Sequence, residues 1–355
     1  MTQETFSAAG QTLSVHEEDA PNGGRFRFFA NGQEVRAIAK PALSRPAGDP
    51  ATLAAVVKEV LASRHDLCAE RILAGEDDPT YETVAAVLPQ TVSYDVIGAE
   101  SSKWKYLVYP DGRIGIWCRE SVATGTNADV YAAFAPEREG FPYATWPSAQ
   151  GLLDGYLPVS CMQFFGESGS RWEQIAYAAD ETGATWIHIR IRELGKGSPI
   201  YLCLLSPDCE TPEEWRVAPV QPAVRSPDGS GFYAGLHRLS LRCEEALAQG
   251  SQVRHPDAYL QNAVRGGILK GFNTYVGISP RYGATNYFYE PGPGAESFAP
   301  TTVVMANACL EWGFFGRAKA YLRYFLNRYV SPSGELQHRD GGATLAEEGM
   351  LLDTL

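Results

Sequence analysis

Thr301-Thr302-Val303-Val304-Met305-Ala306-Asn307-Ala308-Cys309-Leu310-Glu311-Trp312 runs, across Gly313-Phe314-Phe315, into Gly316-Arg317-Ala318-Lys319-Ala320-Tyr321-Leu322-Arg323-Tyr324-Phe325-Leu326-Asn327-Arg328-Tyr329-Val330. The first half is apolar almost all round, through Val303, Val304, Met305, Ala306, Ala308, Cys309 and Leu310. The second half is one-faced, with Ala318, Tyr321, Leu322, Phe325 and Tyr329 together and Arg317, Lys319, Arg323 and Arg328 elsewhere. A helix buried on every side followed by an amphipathic one is the inner and outer pair that a two-layer helical barrel requires. Upstream, Leu260, Ala263, Val264, Gly267, Ile268, Gly271 and Phe272 recur at helical spacing and predict another helix with one apolar face. Downstream, 343–355 begins a further apolar helix carrying Leu345, Met350, Leu351 and Leu352, and the sequence stops inside it. One pair and half of another cannot bury their own apolar surface, so the chain reads as the front part of a longer protein.

The first 240 residues have a different character. Strands over 25–30 and 34–39 flank Asn31-Gly32, a hairpin signal, and strands over 104–109 and 113–118 flank Pro110-Asp111-Gly112. Strands over 175–179 and 185–192 flank Asp180-Glu181-Thr182-Gly183, and another covers 199–205. In 185–192, Trp186, His188, Arg190 and Arg192 alternate with Ile187, Ile189 and Ile191, a strict period of two. Many strands at hairpin spacing predict an antiparallel sandwich. A helical insertion near 50–88 interrupts it, with Asp49-Pro50 and Asp78-Pro79 as helix starts and Arg64, His65, Glu70 and Arg71 on a solvated face. The expected organisation is thus multidomain, β then α. It comprises a β-sandwich over 1–235, a linker helix over 236–257 stopped by Gly250, and barrel helices over 258–355.

Composition narrows the function. The chain has 355 residues, a 45% hydrophobic share and a net charge of −12, which fits neither a disordered chain nor one that coats nucleic acid or a polybasic membrane-binding surface. No apolar run reaches the ~20 residues of a membrane helix, and no basic-then-apolar leader opens the sequence. Seven scattered cysteines without C-x-x-C spacing, and no N-x-[ST] acceptor, read as free thiols in a cytoplasmic protein. Dinucleotide, phosphate-loop, zinc-protease and nucleophile-elbow motifs are absent from the sequence, and Gly195-Lys196-Gly197-Ser198 joins two strands rather than opening a helix. The six histidines have no metal-ligand spacing, and His188 reads as solvated or packed. No cofactor is expected.

Chemistry concentrates in two segments. Residues 281–298 carry Arg281, Asn286, Tyr287, Tyr289, Glu290 and Glu296 just before the apolar helix. Residues 335–342, with His338, Arg339 and Asp340, hold the matching place before the next one. Sugars present apolar CH faces and rings of hydroxyls, so their sites need aromatic rings to stack and carboxylates, Asn and Arg to hold hydroxyls in fixed directions. Glu296 also lies near the positive end of the following helix, which favours its ionised form. Glu296, Asp340 and Glu290 are the carboxylates nominated for acid/base work. Arg281, Asn286, Tyr287, Tyr289, His338 and Arg339 are nominated for substrate binding. If the inner helices point one way, both segments converge on one mouth.

Taken in this order, the parts resemble the six-hairpin glycosidases, (α/α)6-barrel glycoside hydrolases of the glucoamylase-like kind. The resemblance runs through Gln249-Gly250, His255-Pro256-Asp257, the helix over 260–272 and the tyrosine-rich 287–296. It continues through Cys309-Leu310-Glu311-Trp312-Gly313, Arg317-Ala318-Lys319 and Leu326, with Gly334 beyond. The turn between inner and outer helices that recurs in such barrels looks like 308–318. It implies an antiparallel β-supersandwich followed by the first helices of an (α/α)6 barrel, and an oligo- or polysaccharide substrate rather than nucleic acid or membrane. It also implies hydrolysis by two carboxylates, one acting as acid and one activating water. Such enzymes often carry an Arg-Asp pair before the second barrel helix; here Ala295-Glu296 stands there, which suits a different sugar. Their catalytic pair usually lies on later helices. A phosphorylase or polysaccharide lyase on the same barrel, and a non-catalytic glycan-binding or dimerisation module, are the alternatives.

Overall fold

The computed structural model describes residues 3–8, 10–20, 23–43, 62–63, 65–66, 69–70, 73–75, 95–98, 100, 104–109, 112–118, 132–134, 149–165, 170–181, 184–196, 198–205, 224–226, 228–273, 299–336 and 345–355. Two compact units emerge, one of residues 44–93 and one of residues 1–43 with 94–355. In the smaller unit, Asp66 Oδ1 caps the Ala69 N–H at 2.9 Å, and the exposed His65 Nδ1 and Glu70 carboxylate lie 3.0 Å apart. The helices expected from Asp49-Pro50 and Asp78-Pro79 lie outside the described residues.

The larger unit is antiparallel β and then α. Its first sheet is a meander of β1 (Gln3–Ala8), β2 (Gln11–Ala20), β3 (Gly23–Ala30) and β4 (Gln33–Ala39). The β3–β4 turn is the expected one. Asn31 at φ 50° and Gly32 at φ 79° are both left-handed, the turn whose twist suits a two-residue hairpin. A second sheet holds β5 (Asp95–Ile97), β6 (Trp104–Val108), β7 (Ile114–Cys118) and β8 (Ala132–Phe134). The third is a six-stranded meander of β9 (Ala149–Leu152), β10 (Val159–Phe165), β11 (Arg171–Glu181), β12 (Ala184–Glu193), β13 (Ile200–Leu205) and β14 (Val224–Ser226).

The third sheet is covered on both faces. Ile175, Tyr177 and Ala179 of β11 share a core with Phe6, Leu13, Val15, Phe26, Phe28 and Ile38 of the first sheet. On the opposite parity, Gln174 Nε2 donates to Gly112 O at 2.8 Å, and Ser160 Oγ and Gln150 Nε2 donate to Asp95 of β5. The second sheet therefore lies against the other face.

Five helices follow among the described residues. The first, α1 (Ser230–Ala248), starts earlier than the sequence predicts because Asp228 Oδ1 takes the Ser230 N–H at 3.0 Å and fixes the first turn. It lays Phe232, Tyr233, Leu236 and Leu239 onto the β core. In α2 (Ala258–Asn273), Asp257 caps the helix, accepting from the Tyr259 and Leu260 N–H groups at 2.7 and 3.2 Å. The buried residues of α2 are Gly266, Leu269, Phe272 and Asn273: of the predicted stripe Phe272 is buried and Ile268 packs on the core, while Leu260 is 48% exposed, so the N-terminal part of the stripe is turned away.

Next come α3 (Ala299–Glu311) and α4 (Phe315–Tyr329), joined by a Schellman turn. Gly313, at φ 78°, donates to Leu310 O, and Phe314 N donates to Cys309 O at 2.6 Å. All five residues predicted for the inner face of α4 are buried. By contrast α3 is not buried all round: Thr302, Val303, Ala306 and Cys309 are, while Val304 is 60% exposed. The last helix, α5 (Leu345–Thr354), packs on α3, and Leu351 joins Val303, Ala306, Leu322, Phe325 and Leu336 in a second core cluster. No helix of the described residues is long and apolar enough to cross a membrane.

Candidate functional site

Arg281, Asn286, Tyr287, Tyr289, Glu290 and Glu296 fall between α2 and α3 and lie outside the described residues. His338, Arg339 and Asp340, between α4 and α5, lie outside them too. Of the second segment only Glu335 and Leu336 are described. Val330 bridges to Leu336, Ser331 N donates to Glu335 O at 2.8 Å, and Gly334 adopts φ 91°, so the chain doubles back before position 337.

The titratable groups that the fold does gather sit elsewhere. Glu17, Asp19, Lys40, Glu173, Arg190 and Arg192 meet where the first and third sheets face each other. Arg190, 0% exposed, donates to Glu173 Oε1 at 2.7 Å and Glu17 Oε2 at 2.5 Å. Arg192 grips Asp19 through two bonds of 2.9 and 2.7 Å, and Lys40 Nζ pairs with Glu17 and, at 3.0 Å, with Asp19. The Lys40 ammonium and the Arg190 guanidinium also lie over the Phe26 ring, 4.9 and 5.5 Å from its centre. Burial alone would raise the Glu173 carboxyl, but Lys40, Arg190 and Arg192 hold it below its ordinary range. Three acids thus oppose three bases with no charge left over, and neither described cavity reaches them. The cluster clamps two sheets together, with Glu17, Glu173 and Arg190 sealed inside and only Asp19 at its outer end reaching solvent. Beside it His188 is buried, stacked on Tyr177 at 4.9 Å, with Nδ1 3.6 Å from Cys203 Sγ, which settles it as a packed histidine.

A second cluster joins the β part to the helices. Glu244 of α1 accepts from the Tyr156 hydroxyl, from Arg36 at 3.3 Å and from Arg265 of α2 at 2.7 Å on each oxygen. The Arg265 guanidinium lies 3.7 Å from the Tyr156 ring centre. Asp154, left-handed at φ 52°, is held there by the Ala39 N–H at 2.5 Å and by Arg36 at 3.2 Å. Burial raises the Asp154 carboxyl despite these donors.

The third feature is a cavity of about 430 Å³ bounded by the segment after β5, by α1, by the last turn of α2 and by the first turn of α4. Its floor is apolar, with Pro158, Leu239, Leu269 and Phe272. Arg317 closes one side, bonded to Glu100 at 2.7 and 3.0 Å and to Gln249 at 2.6 Å, with its guanidinium 4.2 Å from the Phe272 ring centre. Asn273, 5% exposed, lines it at the point where α2 ends and residues 274–298 begin. The Cys243 thiol on its wall is pushed up to about 12 by burial and stays protonated at neutral pH, so it is no nucleophile. The lining is thus mixed, an apolar floor under a rim of charged and amide side chains. Sequence reading missed the cavity because its walls come from six separate segments, none bearing a motif.

No protein-family description, no curated protein and no solved structure matches this chain.

Proposed function

We propose that this chain is part of a carbohydrate-active enzyme, a glycoside hydrolase that cleaves O-glycosidic bonds of an oligo- or polysaccharide, built as a β-supersandwich followed by the first hairpins of an (α/α)6 barrel. The observation that carries the reading is the packing of α3. Both α4, through its Schellman turn, and α5 pack on it, so alternate helices are neighbours with the intervening helix against them. Inner and outer layering of helical hairpins repeats that relation. In the sequence, each of the two segments rich in rings and carboxylates immediately precedes one of the neighbouring helices α3 and α5. In this reading Glu296, Asp340 and Glu290 supply general acid and base. Tyr287 and Tyr289 stack on sugar faces, and Arg281, Asn286, His338 and Arg339 bind hydroxyls. The free thiols of Cys161, Cys243 and Cys309 support a reducing, cytoplasmic setting.

The test is release of reducing sugar from a panel of neutral and acidic oligosaccharides by the full gene product. Hydrolysis is expected, and Glu296→Gln is expected to slow it by about 10²–10⁴-fold while the protein still unfolds at the wild-type temperature. Glycan retention without turnover would make the chain a binding module. Sugar phosphate released only with added phosphate would make it a phosphorylase, and unsaturated products a lyase.

A further inference from the structure

Asn273 at the end of α2 is more than nine-tenths buried, yet its side-chain Nδ2, a donor of two hydrogens, has no hydrogen-bond partner. A buried donor left unmade destabilises the fold, so such groups are few and each calls for something to complete it. Asn273 lines the cavity of about 430 Å³ behind α1, a volume within the range of clefts that hold small molecules.

The rest of the lining narrows what that partner is. Arg317 and Glu100 neutralise each other through two bonds, and Arg238 is engaged in an interaction of its own. Arg242 and Glu245 remain, one helical turn apart on α1, and neither has a hydrogen bond or ion pair among the described residues. One base and one acid leave no net charge, so an ion of either sign would lose its water without an opposite charge in excess to receive it. The unengaged groups are donors at Asn273 and Arg242 and an acceptor at Glu245. A carbonyl or ether oxygen accepts only and leaves Glu245 unanswered, whereas a hydroxyl both donates and accepts. Several hydroxyls on a compact carbon frame match this rim, and the floor of Leu239, Leu269 and Phe272 receives the frame itself.

We propose that this cavity binds an uncharged polyhydroxylated molecule of monosaccharide size, with Asn273 donating to one of its oxygens and Arg242 and Glu245 meeting other hydroxyls at the rim. Binding here does not depend on glycoside hydrolysis. A chain with no glycosidase activity would still bind such a molecule, and an active glycosidase without this site would not. A free monosaccharide has no glycosidic bond to cleave, so binding is read without turnover.

Calorimetric titration of the whole protein tests this with D-glucose, D-galactose, D-mannose and myo-inositol as neutral probes. D-glucuronate and glucose 6-phosphate serve as charged probes, and benzene as an apolar one. Saturable one-site binding of at least one neutral probe is expected, with benzene at least about tenfold weaker and neither anion tighter. Asn273→Leu is expected to weaken that binding about tenfold while unfolding at a temperature no lower than the wild type, because it removes an amide that the fold leaves unpartnered. Should it unfold lower, Ala246→Leu carries the test: it keeps α1 helical, narrows the cavity from that wall and is expected to abolish binding. An anion bound more tightly than every neutral probe, benzene bound as tightly as the best of them, or affinity unchanged in either variant would each overturn the proposal. Failure of all four neutral probes to bind would overturn it too, and would mean a cavity filled by water alone.

Discussion

Arg190 shows what one buried charge does here. It sits between Glu17 and Glu173 with no exposed surface, and Glu17 reaches it from 173 residues away. Removing one partner of such a pair leaves the rest buried and uncompensated, a loss of about 3–5 kcal/mol. Arg190→Met is therefore expected to lower the unfolding free energy by about that amount in urea titration. Arg27→Ala, which breaks solvent-screened pairs to Glu18 and Glu34 on the outer face of the first sheet, should cost far less. Equal losses would contradict the clamp. The alternation in β12 correctly predicts a strand, but polarity alone cannot separate a solvated face from one that meets carboxylates. A usable signal does exist: Leu13, Val15, Glu17 and Asp19 share one parity in β2, so a face that begins as core ends in acids. Only pairing that run with Arg190 and Arg192 reveals the clamp, and nothing local makes the pairing.

At the scale of elements, the sequence succeeds where neighbours in the chain decide the outcome and fails where distant segments do. The Asn31-Gly32 hairpin and the buried face of α4 are local, and both form as expected. The face of α2 is decided by Tyr156, which sits over Gly266, and by Glu244, which holds Arg265; neither is visible within 258–273. The displaced part of the stripe, including Val264 and Gly267, instead lines a groove of about 270 Å³ against Met305 and Trp312 of the α3 region. Asn273 is equally silent in sequence, a lone amide after a phenylalanine, while the nominated rim residues lie outside the described residues. Two glycines test the rotation. A Cβ at Gly267 meets nothing within 4 Å, so Gly267→Ala should stabilise by about 0.5–1 kcal/mol through helix propensity. A Cβ at Gly250 would strike the buried Phe314 ring, itself edge-on to Phe272 at 5.1 Å, so Gly250→Ala should cost about 1–3 kcal/mol. Thermal melts of the two variants moving in the same direction would refute the placement of α2 and of the α3–α4 turn.

For the larger unit as a whole, the decisive fact is that one core runs from strand to helix. Phe6 and Phe28 of the first sheet, Tyr177 of the third, Phe232 and Leu236 of α1, Leu269 of α2, and Phe314 and Tyr321 beside and within α4 belong to a single buried cluster. The Tyr177 hydroxyl donates to the Phe232 carbonyl at 2.5 Å, binding β11 to the first turns of α1. Elements that share a core unfold together, so strand and helix should have one transition rather than two. Acid supplies the sharpest form of this expectation. The folded-state carboxyls of Glu173 and Asp19 are depressed, so as pH falls below the ordinary carboxylate range of about 4 the unfolded chain takes up protons first. Stability therefore falls with pH in that window, as linkage requires wherever the unfolded state binds more protons. Asp154, raised by burial, opposes the trend, but Glu18, Asp228 and Glu244, lowered by their own donors, join Glu173 and Asp19 against it. Because Glu173 and Asp19 lie in the clamp between sheets and the helices share the core beside it, acid should dismantle both parts at once. Circular dichroism for helix and near-ultraviolet absorbance for the buried tyrosines, followed from neutral pH downward, should trace coincident curves, and Phe232→Ala should move both to higher pH together. Helix signal surviving after the tyrosines have become exposed would mean that α1 is not the shared spine of the two halves.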